Sequence, residues 1–169
     1  MMAPSTKIRA VAMDVDGVLT DGGIYLSADG PAQKRLSFRD VMGVSLGRKA
    51  GLQFALISGE GGPLLERIAS LLGIEDVYPN CKDKAAALQD FALRRELPLA
   101  EICFIGDDIN DLSAMTLAGL CACPSDAHTR VLTDVDLVME GRGGFGAVRE
   151  LLDHLVNQRF KPDGENEAC

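Results

Sequence analysis

The chain has 169 residues, 47% of them apolar and 25% charged, with a formal net charge of −8. That length holds one domain with a full core, and an apolar content that high excludes intrinsic disorder. The acidic balance argues against a nucleic-acid binder held by phosphate contacts, and no apolar run reaches the roughly 18 residues of a membrane span, so a cytoplasmic protein with neither partner is expected.

The opening "MMAPSTKIRA" lacks an apolar signal core and reads as a short frayed lead. "IRAVAMDV" (8–15) is a buried strand that runs into two aspartates, Asp14 and Asp16. "GGIYLSADGPAQKRLSF" (22–38) alternates in polarity around an Asp-Gly turn signal and predicts an inserted β-hairpin. A helix over "DVMGVSLGRKAG" follows, with Gly51 as its stop. "LQFALIS" (52–58) is a second strand, and "PLLERIASLLG" is a helix entered at Pro63 and left at Gly73. A short "VYP" segment precedes the helix "DKAAALQDFALRREL". "EICFIGD" (101–107), "GLCACP" (119–124) and "VDLVM" (135–139) are further strands, separated by the helical "DLSAMTLAG" and followed by the helical "FGAVRELLDHLV". His128 falls in a cap region and Arg149 on a helix surface. The tail over 161–169 is polar and is expected to be flexible.

Short apolar strands alternating with helices predict an α/β fold, a Rossmann-like parallel sheet covered by helices on both faces. One domain over 1–160 is expected. Of the five cysteines, Cys103, Cys121 and Cys123 lie in strand-like runs and read as buried thiols, and Cys81 and Cys169 complete no disulfide or zinc pattern.

In open parallel sheets, ligands bind at the carboxyl ends of the strands. Asp14 and Asp16 end one strand, Ser58-Gly59 ends another, Lys84 opens a helix, and Asp107, Asp108 and Asp111 end a third strand. A single Asp after a strand is usually a turn former, and a single Lys is usually a solvated helix residue. The order D-x-D-G, S-G, K, G-D-D-x-x-D is what carries chemistry. Several carboxylates in one cleft repel unless a cation relieves them, and an all-oxygen ligand set selects Mg²⁺. With a hydroxyl, a lysine and helix-start amides as anion donors, this describes a phosphoryl-transfer site with a carboxylate nucleophile.

"DVDGVLTDGG", "ISGE", "DK" and "GDDINDL" resemble the four motifs of the haloacid dehalogenase phosphatases, over about residues 8–158. The hairpin, "RD" (Arg39-Asp40) and "RGGFGAVRE" (142–150) resemble the small capless branch that contains octulosonate and nonulosonate phosphatases. The resemblance implies Asp14 as nucleophile and Asp16 as general acid and base. It implies Asp107 as metal ligand, joined by Asp14 and the backbone carbonyl of Asp16. Asp108 and Asp111 would form an outer shell around the ion. Ser58, Gly59 and Lys84 would hold the phosphate. Arg39, Asp40, Glu60 and Arg142 are the candidates for substrate contact.

The same branch closes its sites by tetramerising through the hairpin, with the glycine-rich segment entering a neighbour's site. A homotetramer is therefore expected. Glu60 stands where the octulosonate phosphatases usually carry Arg and resembles the nonulosonate enzymes. The expected function is Mg²⁺-dependent hydrolysis of a 2-keto-3-deoxy sugar acid phosphate, with 3-deoxy-D-manno-octulosonate 8-phosphate ahead of a nonulosonate 9-phosphate. Two other classes compete. A receiver-type signalling domain would need its Lys last in the motif order, and Lys84 precedes the second acidic group. A non-catalytic tetramerisation module has no need of an intact Asp–Ser–Lys set.

Overall fold

The computed structural model describes residues 8–160. The frayed lead expected before residue 8 and the flexible tail expected over 161–169 lie outside the described residues. The elements in order are β1 (Ala10–Met13), α1 (Phe38–Lys49), β2 (Gln53–Ile57), α2 (Pro63–Leu72), β3 (Asp76–Tyr78), α3 (Lys84–Arg94), β4 (Ile102–Ile105), α4 (Leu112–Met115), β5 (Leu120–Cys123), α5 (Thr129–Asp134), β6 (Leu137–Val138) and α6 (Ala147–Phe160). The six strands form one sheet in the order β3-β2-β1-β4-β5-β6, and every pairing is parallel. The α/β architecture is the one expected.

Alternation along the strands divides the core. In β1, Val11 and Met13 face one layer with Val44 of α1, Leu65 and Ile68 of α2, and Leu151 and Leu152 of α6. Ala10 and Ala12 face the other layer with Leu88 and Phe91 of α3, Met115 of α4 and Val131 of α5. Gly43 of α1 lets α6 approach: a Cβ there would meet the Arg149 Cα at 3.0 Å. The helix ends follow the sequence signals. Pro63 is the first residue of α2, and Gly73 closes that helix in the left-handed region at φ +62°. His128 caps α5, its ring accepting the Arg130 N–H.

Three expectations change. Residues 22–38 do not form a two-stranded ladder. They make an arm held by two isolated antiparallel bridges, Thr20↔Leu36 and Tyr25↔Gln33. A lone ribbon is marginal in water, and Leu36 alone of its apolar residues packs on the main core, while Ile24, Tyr25 and Leu26 stay exposed. Phe38 belongs to α1, not to the arm, because Ser37 caps the helix by accepting the Arg39 N–H. The helix expected over "DLSAMTLAG" is shortened to α4, Leu112–Met115, which follows a 3₁₀ turn at Ile109–Asp111.

Strand order reverses at β1, with β2 and β3 on one side and β4, β5 and β6 on the other. The carboxyl ends of β1 and β4 therefore meet at a crevice. Met13 is in register with Ile105, so the chains leading to Asp14 and Asp107 emerge side by side.

Candidate active site

Asp14 follows β1 directly. Its N–H donates to the Ile105 carbonyl at 3.0 Å, and its Oδ1 accepts the Val15 N–H at 2.7 Å. Its Oδ2 lies 3.0 Å from Lys84 Nζ. Lys84 opens α3, where the Asp83 side chain accepts the Ala86 N–H and fixes the helix start. The Lys84 side chain is buried and is held by Asp111 at 2.6 Å. Burial pulls its pKa down, but Asp14 and Asp111 outweigh burial and raise it overall. The ammonium is thus a fixed charge beneath the cleft, not the solvated helix residue that a lone Lys suggests.

Asp111 is fully buried. Its Oδ2 accepts the backbone N–H groups of Asp107 and Asp108 at 3.0 and 3.2 Å. One carboxylate thereby shapes the loop after β4 and aims Lys84 at Asp14. Asp108 caps the following turn by accepting the Ile109 N–H at 2.7 Å.

Carboxylate oxygens of Asp14, Asp107 and Asp111 lie within 4.8 Å of one another. Burial first, then the charges of Asp14, Asp111 and Asp108, pushes the Asp107 carboxyl up to about 7. Burial and the Asp111 charge likewise raise Asp14, against the pull of Lys84. Hard oxygen donors whose mutual repulsion is only partly relieved by Lys84 fit a divalent cation such as Mg²⁺. Gly17 makes room for this: at φ +81°, a Cβ there would fall 2.0 Å from Asp107 Oδ2.

The cleft above has a volume of about 330 Å³ and is lined by Asp14, Asp16, Gly17, Lys34, Gly59, Glu60, Asp107 and Asp108, among others. Ser58, the residue before cleft-lining Gly59, is buried and does not itself line the cleft; its Oγ accepts the Glu60 N–H at 3.2 Å. The structure thus brings the two acidic groups, Gly59, Lys84 and Glu60 together. Three substrate candidates do not line the cleft. Asp40 is fully buried, and its carboxylate accepts the N–H groups of Gly146 and Arg149, so it caps α6 and is not free for a substrate. Arg142 pairs with Asp126 at 3.1 Å. Arg39 lies in the first turn of α1.

Within the single chain the glycine-rich segment has a structural place of its own. It braces this chain's own acidic loop. The Gly144 N–H donates to the Val18 carbonyl at 2.9 Å, and a Cβ on Gly143 would fall 1.9 Å from the Gly17 carbonyl. Arg35 ties the arm to this segment through the Gly144 carbonyl and lies 4.1 Å from the Phe145 ring centre.

Two residues were missed by sequence reasoning. The hydroxyl of Thr20, fully buried, accepts the Gly17 and Gly22 N–H groups and donates to Asp16 at 3.4 Å. A polar residue after the apolar "GVL" in the same loop was its available signal. Lys34 Nζ sits 2.8 Å from the Asp16 carboxylate and 3.3 Å from Glu60. Nothing in "GPAQKRLSF" separated it from a solvated lysine.

Residues 54–144 match the family model described as haloacid dehalogenase-like hydrolase. A 3-deoxy-D-manno-octulosonate 8-phosphate phosphatase of Escherichia coli, KdsC, is 33% identical over 163 residues, 96% of this chain and 87% of that protein. This chain belongs to the haloacid dehalogenase-like hydrolases. It is a phosphoric monoester hydrolase of that family, with no large cap domain among the described residues. Two solved structures of family members extend the likeness. A magnesium-, phosphate- and KDO-bound 3-deoxy-D-manno-octulosonate 8-phosphate phosphatase from Moraxella catarrhalis has TM-score 0.86 and 30% identity, covering 90% of this chain and 87% of that one. A cobalt-bound deoxy-D-mannose-octulosonate 8-phosphate phosphatase from Haemophilus influenzae has TM-score 0.86 and 35% identity, covering 90% and 89%.

Proposed function

We propose that this hydrolase, as a single domain over 1–160, removes phosphate from a 2-keto-3-deoxy sugar acid phosphate. The substrate we assign is 3-deoxy-D-manno-octulosonate 8-phosphate, a step of lipopolysaccharide biosynthesis. The observation that carries the reading is the Asp14 carboxylate, on the cleft wall with a buried ammonium 3.0 Å away and a second aspartate two residues on. Relatives named for this activity over nearly the whole chain support the substrate class.

The steps follow from the residues. An Asp14 oxygen attacks phosphorus while the bond to the sugar oxygen breaks, and Asp16 gives that oxygen its proton. The products are free sugar acid and a phosphoryl group held on Asp14 as an acyl phosphate. Water then attacks phosphorus, Asp16 takes its proton, and the bond to Asp14 breaks. Lys84, Ser58 and the backbone at Gly59 hold the phosphoryl oxygens. Asp14, Asp107 and the Asp16 carbonyl would hold Mg²⁺, which supplies charge neutralisation at the phosphoryl oxygens. Asp111 and Asp108 orient those ligands.

Exposed Ile24, Tyr25 and Leu26 on the arm and Phe38 beside it support a homotetramer assembled through the arm. Buried free thiols at Cys103, Cys121 and Cys123 support a reducing, cytoplasmic setting. One observation favours a second substrate, a nonulosonate 9-phosphate: Glu60 lines the cleft where an Arg was expected for the eight-carbon sugar. The complete acidic site speaks against a non-catalytic module.

A phosphate-release screen over eight- and nine-carbon keto-acid phosphates and generic sugar phosphates, with Mg²⁺ or EDTA, tests the proposal. Mg²⁺-dependent release with the octulosonate ester preferred is expected. Equal rates on all esters would refute the substrate assignment, and a tetramer inert toward every ester would revive the module.

A further inference from the structure

We propose that Lys34 is a specificity-determining residue that reads a hydroxyl on the carbon next to the phosphorylated one. The preferred esters are then terminal phosphates of vicinal diols. This rests on the phosphatase reading and deepens it.

Among the described residues lining the cleft, Lys34 is the one basic side chain, since Lys84 is buried beneath it. Its side chain is 9% exposed although it comes from the arm. Its ammonium contacts the Asp16 carboxylate at 2.8 Å and Glu60 at 3.3 Å. An ammonium has three N–H donors; with both Asp16 oxygens, each at 2.8 Å, sharing one and Glu60 taking another, one is left to offer.

The distance chain bounds how far that donor lies from the reacting oxygen of a substrate. A general acid must come within about 2.6–3.2 Å of the ester oxygen it protonates. Lys34 Nζ is 2.8 Å from the same carboxylate, so it falls within about 6 Å of that oxygen. The next oxygen along the substrate, on the adjacent carbon, lies in this range.

Charge decides which group is read. Lys34 is already paired with Glu60, and with Asp16 whenever that carboxylate is ionised, so a further anion there meets no uncompensated positive charge. A neutral hydroxyl adds no charge. It accepts from Lys34 and donates to Glu60, closing both contacts at once. A site built to bond a hydroxyl rejects the analogue that lacks it, because its own polar groups are left unpaired. Glu60 is 69% exposed at its side chain, so water softens that rejection here.

The test is a two-by-two comparison of kcat/KM. It uses wild type and Lys34→Met, with octulosonate 8-phosphate and its 7-deoxy analogue, in Mg²⁺. Wild type is expected to prefer the hydroxylated ester by about tenfold, and Lys34→Met to bring that ratio close to one. Lys34→Arg, which keeps a donor and guards against a misfolded Met variant, is expected to retain part of the preference. Equal loss on both esters in Lys34→Met would mean that Lys34 acts only through Asp16 or the fold, and would overturn the inference. So would a wild-type ratio of one, with turnover intact. Wild type inert toward both esters and every other phosphate tested overturns the phosphatase reading itself, and the inference with it.

Discussion

Asp111 grips Lys84 at 2.6 Å, and both side chains are buried. The buried lysine beneath the cleft is therefore placed by a residue 27 positions later in the chain, which also receives two N–H groups of its own loop. Lys84→Met leaves the Asp14 and Asp111 carboxylates buried without their cation. Such a loss is expected to cost about 3–5 kcal/mol, read by urea unfolding of the metal-free protein. Asp111→Asn keeps the shape but weakens the grip, and a drop of about 10–100-fold in kcat/KM is expected.

The acidic cluster gives metal-free stability a definite sign against pH. Asp107 is raised to about 7 and Asp14 is raised as well, in both cases by burial first. A carboxyl raised in the folded state still holds its proton where the unfolded chain has lost it. Its contribution is full below about pH 4, the unfolded value, and is lost as pH rises to about 7. In EDTA, the melting temperature is expected to fall from pH 5 to pH 8. Mg²⁺ is expected to recover more stability at pH 8 than at pH 5. A metal-free melting temperature that climbs over this range contradicts the cluster.

Asp40 makes a separable stability prediction. Its carboxylate receives the Gly146 and Arg149 N–H groups at 3.2 and 2.8 Å. Asp40→Ala removes this cap and is expected to cost about 1–2 kcal/mol by urea unfolding, with kcat/KM of the folded fraction nearly unchanged. A selective rise in KM at full stability would return Asp40 to substrate contact.

Gly143 tests the brace on the acidic loop. A methyl there meets the Gly17 carbonyl at 1.9 Å, and backbone cannot swing aside as a side-chain end can. Gly143→Ala is expected to lower both the melting temperature and kcat. Loss of neither would show that the segment is free of the loop.

Much of this was legible in the sequence because local chemistry determined it. Runs such as "AVAM" and "ICFI" are apolar throughout because both faces of β1 and β4 are covered. Pro63 and Gly73 mark α2 because one fixes φ and the other tolerates left-handed backbone. Asp14, Lys84 and Asp107 were found through their order after strands, which the parallel topology turns into proximity. The arm was not legible: alternation around Asp29-Gly30 signals a ribbon, but with so few buried side chains only two bridges form. Asp40 was misassigned because "RD" looks the same whether the carboxylate meets a substrate or the start of a helix 106 residues away. Lys34 was missed for the converse reason: its partners come from two other loops, and an isolated lysine carries no pattern.

The assembly proposal has its own check. Leu26→Lys, at a position 79% exposed in the single chain, is expected to shift sedimentation from tetramer to smaller species. A wild-type protein that sediments as a monomer contradicts a tetramer built on the arm.

The central claim is that phosphate passes through the Asp14 carboxylate. Borohydride added during turnover reduces an acyl phosphate to an alcohol, and peptide mass spectrometry then locates the reduced residue. Conversion of Asp14, seen only with substrate and Mg²⁺ present, is the expected result. Steady turnover with Asp14 unmodified, or reduction at Asp107 instead, would contradict it.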